Sequence, residues 1–222
     1  MSKIPLPPPS LSKAEKIFKN EFKLIKNKKI KKFVIEVFKQ FCPDYFWTVP
    51  CSTTGKYHPQ LALGKNGLLR HVKLAVYWGI ELARAFELEK LQDEIVATLL
   101  LHDLIKNGKG LDSNGRSLES GVTGTHGVTL ANKINSFDCE AYLDKNDGFY
   151  RICAGIAGHM GIWTTDSKFR PNNLENPEIK EFAQLIHLAD YCASRKVDEI
   201  IKSLEQEKLE EDENGESPNT KN

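Results

Sequence analysis

The feature that most constrains this chain is an apolar run that abruptly turns ionic: Leu99-Leu100-Leu101-His102-Asp103-Leu104-Ile105-Lys106. Such a run belongs in a core, where burying even a neutral polar group without a partner costs about 2 to 7 kcal/mol and an ionised carboxylate far more. Asp103 therefore needs a partner. A divalent metal ion meets the need, because neutral imidazole and carboxylate are good donors to first-row cations and the ion's charge reverses the burial penalty. At helical spacing Lys106 lies three residues beyond Asp103 and four beyond His102, on the face that carries both. A cation placed there repels a metal and attracts an anionic ligand. A lone His-Asp dipeptide is also what a packed core histidine looks like, so the remaining donors decide.

There are six histidines: His58, His71, His102, His126, His159 and His187. The order His71, His102-Asp103, His126, His159, Asp190 resembles the HD-domain superfamily of metal-dependent phosphohydrolases, whose dinuclear branch takes its ligands from a lone histidine, the His-Asp doublet, two further histidines and a late aspartate. The resemblance covers residues 52–202, and the ordered set is far more specific than the dipeptide alone. It implies that His71, His102, Asp103 and Asp190 hold one divalent ion while Asp103 bridges to a second held by His126 and His159. Donor type leaves iron, manganese, cobalt, nickel and zinc open.

Composition sets broad limits. The 222 residues carry 31 basic and 30 acidic side chains, a net charge of +1, so the overall balance points to neither nucleic acid nor membrane. Lysines crowd the stretch from Lys13 to Lys39 and acidic residues the stretch from Glu205 to Glu216, an asymmetry that could serve a polyanionic substrate but is expected mainly of solvated helix faces. No apolar run has the length of a membrane span, and Met1-Ser2-Lys3 opens no signal peptide, so a cytoplasmic protein without a membrane partner is expected. The five cysteines, at 42, 51, 139, 153 and 192, form no C-x-x-C pair, and ordinary reduced thiols, mostly core, are expected of them.

Along the chain, Pro5 to Pro9 forms an extended leader. Ser12-Lys13-Ala14-Glu15 reads as a capping box. Phe18, Phe22 and Ile25, then, after a break at Asn27, Ile30, Phe33, Val34, Val37, Phe38 and Phe41 repeat helical spacing. From Cys42 to Pro59 the pattern is that of a loop, and its end, Ser52-Thr53-Thr54-Gly55-Lys56-Tyr57-His58-Pro59, offers hydroxyls, a cation and an imidazole without the order of a Walker A motif. Helices are expected over 67–86, with His71 near its start, and over 93–105, carrying the doublet. The glycine-rich connection 107–125, with Arg116 in its middle, reads as a mobile flap over the site. Thr125 is the expected N-cap of the helix holding His126. A helix over 150–158 ends at His159, and a last helix over 178–208 brings His187, Asp190 and Ser194 to one face.

The expected fold is thus all-α: an HD-domain helical bundle with an N-terminal helical extension. The extension spans 1–60, the HD domain 61–208, and an acidic, apolar-poor tail 209–222, read as disordered. The implied activity is hydrolysis of a phosphomonoester or phosphodiester of a nucleotide or nucleic-acid end by a bridging water, with Lys106 neutralising phosphate charge. Lys56, His58, Arg116, His187 and Arg195 are the candidates for binding that substrate. Gly158-His159-Met160-Gly161 and His187-Leu188-Ala189-Asp190 look most like HD proteins related to bacterial 3′-to-5′ exoribonucleases, but the nucleic-acid-binding barrel of that family is missing, and the Gly-Tyr-Pro of HD-GYP phosphodiesterases is absent. Two other classes share the donor order or the fold: diiron HD oxygenases, and non-catalytic nucleotide-binding proteins, against which the intact ligand set argues.

Overall fold

The computed structural model describes residues 12–52, 54–138 and 143–215. The proline leader and residues 216–222 lie outside the described residues. Among the described residues the fold is all-α: helices α1 (Lys13–Ile17), α2 (Lys19–Leu24), α3 (Lys28–Phe41), α4 (Gly67–Ala85), α5 (Gln92–Leu101), α6 (Val122–Ser136), α7 (Asp147–Gly158), α8 (Pro177–Ala193) and α9 (Val197–Gly215) are joined by turns, short 3-10 segments and one isolated bridge between Leu111 and Ser117.

Helix α5 is the axis. Every residue from Ile95 to Leu101 is buried, Thr98 included, and Thr98 satisfies its hydroxyl on the Glu94 carbonyl at 2.7 Å. A helix apolar on all sides must be surrounded, and α3, α4, α7 and α8 pack around it. Helix α8 also lies against α4 and α7, and α6 against α7, so the ends of α4 to α8 can meet at one place.

Local chemistry sets the entries. Ser12 and Glu15 form the expected capping box, the Glu15 amide donating to Ser12 Oγ at 3.2 Å and the Ser12 amide to Glu15 Oε2 at 2.8 Å. Asn27, Asn146 and Asn176 accept from amides in the first turns of α3, α7 and α8. Asp93, at the start of α5, receives the amides of Lys26 at 2.8 Å and Asn27 at 2.7 Å, which fastens the N-terminal helices to the axis. Their aromatics join the same core: Phe33 meets Phe149 edge-on with ring centroids 6.0 Å apart, and Phe18, Phe38 and Phe46 form one cluster.

Four boundaries differ from the sequence reading. Helix α5 stops at Leu101, and the next residues turn with i to i+3 bonds, Leu104 to Leu101 and Lys106 to Asp103, as a helix end tightens when its carbonyls run out of partners. Helix α6 starts at Val122 behind Gly121, whose φ of +70° is left-handed, so Thr125 is inside the helix and bonds back to the Gly121 carbonyl at 3.3 Å instead of capping. The single helix expected over 178–208 is two, interrupted at Ser194. Helicity runs on to Gly215, past the start of the tail expected to be disordered.

Candidate metal centre

Six side chains converge from five helices or helix ends. His71 comes from α4, His102 caps the end of α5 with Asp103 next to it, His126 comes from α6, His159 caps the end of α7, and Asp190 comes from α8. The four histidines are fully buried and Asp103 nearly so.

Asp103 stands between two sets of nitrogens, one to each oxygen. Its Oδ1 is 3.0 Å from His126 Nε2 and 3.6 Å from His159 Nε2. Its Oδ2 is 3.5 Å from His71 Nε2 and 3.6 Å from His102 Nε2. Asp190 closes the second set, with Oδ1 3.0 Å from His71 Nε2 and 3.6 Å from His102 Nε2. The donor atoms of His71, His102 and Asp103 all lie within 4.8 Å of one another, and so do those of Asp103, His126 and His159.

The tautomers follow from the backbone. His102 Nδ1 donates to the Leu99 carbonyl at 2.7 Å, His126 Nδ1 to Thr123 at 2.9 Å and His159 Nδ1 to Ile156 at 2.7 Å. Each bond reaches back three residues in the chain, and each leaves Nε2 as a bare lone pair aimed at the centre, the arrangement in which a neutral imidazole ligates a metal. Yet His126 and His159 point these nitrogens at each other across 3.0 Å. Two lone pairs so placed repel unless a cation or a proton stands with them, and a buried cluster of nitrogen and carboxylate donors fits first-row divalent ions. The donor set therefore can hold metal, and the architecture is compatible with an HD-like fold.

Charge supports the same reading. Burial alone would protonate Asp103, but the Lys106 ammonium beside it holds its carboxyl well below the usual range. Burial, partly opposed by Asp103, pushes His159 down to about 4 and so keeps it neutral. Lys106 Nζ is 2.6 Å from Asp103 Oδ2, and against the cost of burial this carboxylate raises the lysine. The same-face relation expected from helical spacing is met within a turn beyond α5 rather than on the helix itself.

Cys51 was expected to be an ordinary core thiol, and it is buried but not ordinary. Its amide donates to the Ala62 carbonyl at 3.0 Å, while Asn66 and Leu68 donate to Thr48 and Val49, so the chain before the long loop lies along the entry to α4 and delivers the sulfur to His71. Sγ is 3.4 Å from Lys106 Nζ and within 4.8 Å of ring nitrogens of both His58 and His71. Burial opposes ionisation, but the charges of His71 and Lys106 pull the thiol down to about 5. His71 is also the one histidine of the four whose Nδ1 is buried without a hydrogen-bond partner.

A cavity of about 860 Å³ opens onto the cluster, reached by Lys106, His126 and Asp190. Of the residues proposed for substrate, His58, His187 and Arg195 line it. His187 donates Nδ1–H to the His159 carbonyl at 2.7 Å, and His58 Nε2 is 3.4 Å from Ser194 Oγ. Lys56 and Arg116 are exposed and are not among the lining residues. The chain around Arg116 curls on itself instead, the Arg116 amide donating to Asp112 Oδ1 at 2.8 Å, because Asp112 organises a tight turn there. The expected flap is also tied down: the Tyr45 hydroxyl donates to the Gly108 carbonyl at 2.8 Å, and Ser117 Oγ to Asn107 at 2.9 Å. Trp163, Tyr57 and Tyr191 also line it. Sequence reasoning passed over these three rings, whose only signal was an aromatic beside a candidate ligand, as in Asp190-Tyr191.

Comparison with family models, with curated proteins and with solved structures finds no match.

Proposed function

We propose that this protein is a metal-dependent phosphohydrolase that cleaves a phosphomonoester or phosphodiester with water. One observation carries the reading: candidate metal donors, His126 and Asp190, and unambiguous cations, Lys106 and Arg195, line a single cavity. Cations gathered beside metal donors favour an anionic substrate, and a volume of about 860 Å³ suits a small molecule or the end of a larger one.

Two divalent ions, one with His71, His102, Asp103 and Asp190 and one with Asp103, His126 and His159, would supply Lewis acidity toward a phosphoryl oxygen and acidify the attacking water. The chain's own contributions are distinct. Asp103 presents one oxygen to each histidine set and keeps the sets in register. The Nδ1–H bonds to Leu99, Thr123 and Ile156 fix three imidazoles before any ligand arrives, so little reorganisation remains. Lys106 brings a positive charge that meets the phosphate oxygens. Arg195 adds a second cation to the cavity wall.

The test is metal analysis joined to a screen for phosphate release or ester cleavage over nucleotides, cyclic dinucleotides and short oligonucleotides. Cleavage that requires metal and disappears in His102→Ala is the expected result. Oxygen uptake on a carbon substrate with no phosphate-ester cleavage would overturn it in favour of oxidative chemistry on the same donors.

A further inference from the structure

Two aromatic rings stand in the cavity at the edge of the metal cluster, each carried by the segment that directly follows a candidate ligand. Trp163 ends the short turn after His159, and Tyr191 follows Asp190 on α8. Their planes are parallel to within 8°, with centroids 6.4 Å apart. Trp163 is 54% exposed and Tyr191 38% exposed, although both are large apolar surfaces that folding would otherwise cover. The Arg195 guanidinium lies over the Tyr191 ring at 4.2 Å and near the Tyr57 ring at 5.8 Å. It has no carboxylate partner among the described residues, and its Nε is buried without a hydrogen-bond partner. The His187 ring is 6.3 Å from both Trp163 and Tyr191, and its Nδ1–H is already committed to the His159 carbonyl.

Parallel exposed rings do little for stability. They do leave exposed ring faces in one orientation, to which a flat π-system can lie parallel, and the guanidinium over Tyr191 adds cation–π attraction for the same ligand. We propose that Trp163 and Tyr191, with Arg195, form a stacking subsite for a nucleobase, so that the phosphate ester handled by the cluster is that of a nucleotide or a nucleic-acid end. The position of the phosphate rests on the phosphohydrolase reading; the stacking itself does not. A base on the platform stays in the same cavity as Asp190 and Lys106. Asn107 and Asn114, which also line it, bring amide groups able to meet base edges. The rings alone set little preference among bases, since every base has a π-face.

The test is calorimetric binding of adenosine 5′-monophosphate, cytidine 5′-monophosphate and ribose 5-phosphate to the metal-loaded full chain, with phosphate release followed in the same samples. Both nucleotides are expected to bind about tenfold tighter or more than ribose 5-phosphate, Trp163→Ala to abolish most of that advantage while leaving ribose 5-phosphate unchanged, and Trp163→Phe to keep most of it. Equal binding of all three ligands, no binding of either nucleotide, or equal weakening of all three in Trp163→Ala would overturn the subsite. Phosphate release from ribose 5-phosphate as efficient as from the nucleotides would overturn it and leave the hydrolase standing. Base-dependent binding without hydrolysis of any ester would support the subsite and remove the hydrolase.

Discussion

Lys106 Nζ lies 2.6 Å from Asp103 Oδ2, on the oxygen that also faces His71 and His102 and away from the one that faces His126. The lysine therefore does two things that a single substitution separates. It neutralises a buried carboxylate, and it stands at the cavity wall where an anionic substrate arrives. Removing one partner of a buried ion pair costs about 3 to 5 kcal/mol. Lys106→Ala is expected to show that cost in the metal-stripped protein and much less of it once metal supplies the missing positive charge. Turnover should fall by roughly a hundredfold, about 2.7 kcal/mol of transition-state stabilisation. Melting curves of the variant with and without metal, read beside its turnover, check both halves. Unchanged turnover with a lowered metal-free melting point would confine Lys106 to structure. Lys106→Arg should rescue turnover only in part, because a planar guanidinium does not replace a compact ammonium in a confined space.

Asp103→Asn keeps the shape of the side chain and removes the charge. Its two oxygens divide between the histidine pairs at 3.0 and 3.5 Å, so the amide must turn an NH2 group toward one pair. Metal affinity should fall on the order of a hundredfold or more, since replacing even groups that only orient the ligands costs about 10- to 100-fold. Metal content by elemental analysis after dialysis decides the matter: full content with full turnover would make Asp103 merely structural.

Metal removal should destabilise the whole domain and not only the site, because the four histidines come from four different elements, α4, the end of α5, α6 and the end of α7. An ion present at about 100 times its dissociation constant adds about 2.7 kcal/mol. For a chain of this size each kcal/mol corresponds to roughly 2 to 4 °C. Chelation is expected to lower the melting temperature by about 5 to 10 °C, and in His102→Ala the difference should shrink. Thermal unfolding with and without chelator is the measurement, and identical curves would argue that no metal is held.

The residues of the buried cluster were legible in the sequence and some of their neighbours were not, for a physical reason. His71, His102, Asp103, His126, His159 and Asp190 each interrupt an apolar helical pattern, and an ionisable group at an inward position reports itself locally. Cys51 does not, since a buried cysteine is ordinary; it reaches His71 only through backbone pairing of Thr48 and Val49 with Asn66 and Leu68, which leaves no mark in the pattern. Arg116 is a different case. A cation in a glycine-rich loop can face either way; Asp112 holds the loop backbone and the arginine is exposed. The stop of α5 at Leu101 was hidden because Leu104 and Ile105 stay buried in the turn that follows. Apolar residues continued where the helix did not.

Gly127 offers a test of the His126–His159 half by itself. It lies on α6 where that helix crosses α7, and a Cβ there would sit 2.5 Å from the Ile156 carbonyl oxygen and 2.9 Å from His159 Cε1 and Nδ1. Helix propensity alone favours alanine over glycine by about 1 kcal/mol. Overpacking costs about 1 to 3 kcal/mol, and one of the atoms to be displaced is backbone. That carbonyl also holds the His159 ring through a 2.7 Å bond, so any shift that makes room turns the imidazole. The steric cost should win: Gly127→Ala is expected to lower stability by about 1 to 2 kcal/mol net. It should also weaken metal binding by His126 and His159 and leave His71, His102 and Asp190 intact, so bound metal falls from two ions toward one. Elemental analysis of Gly127→Ala beside its melting temperature checks this. A variant more stable than the parent with undiminished metal would mean that α6 and α7 separate freely at this crossing and that His159 is not held by it.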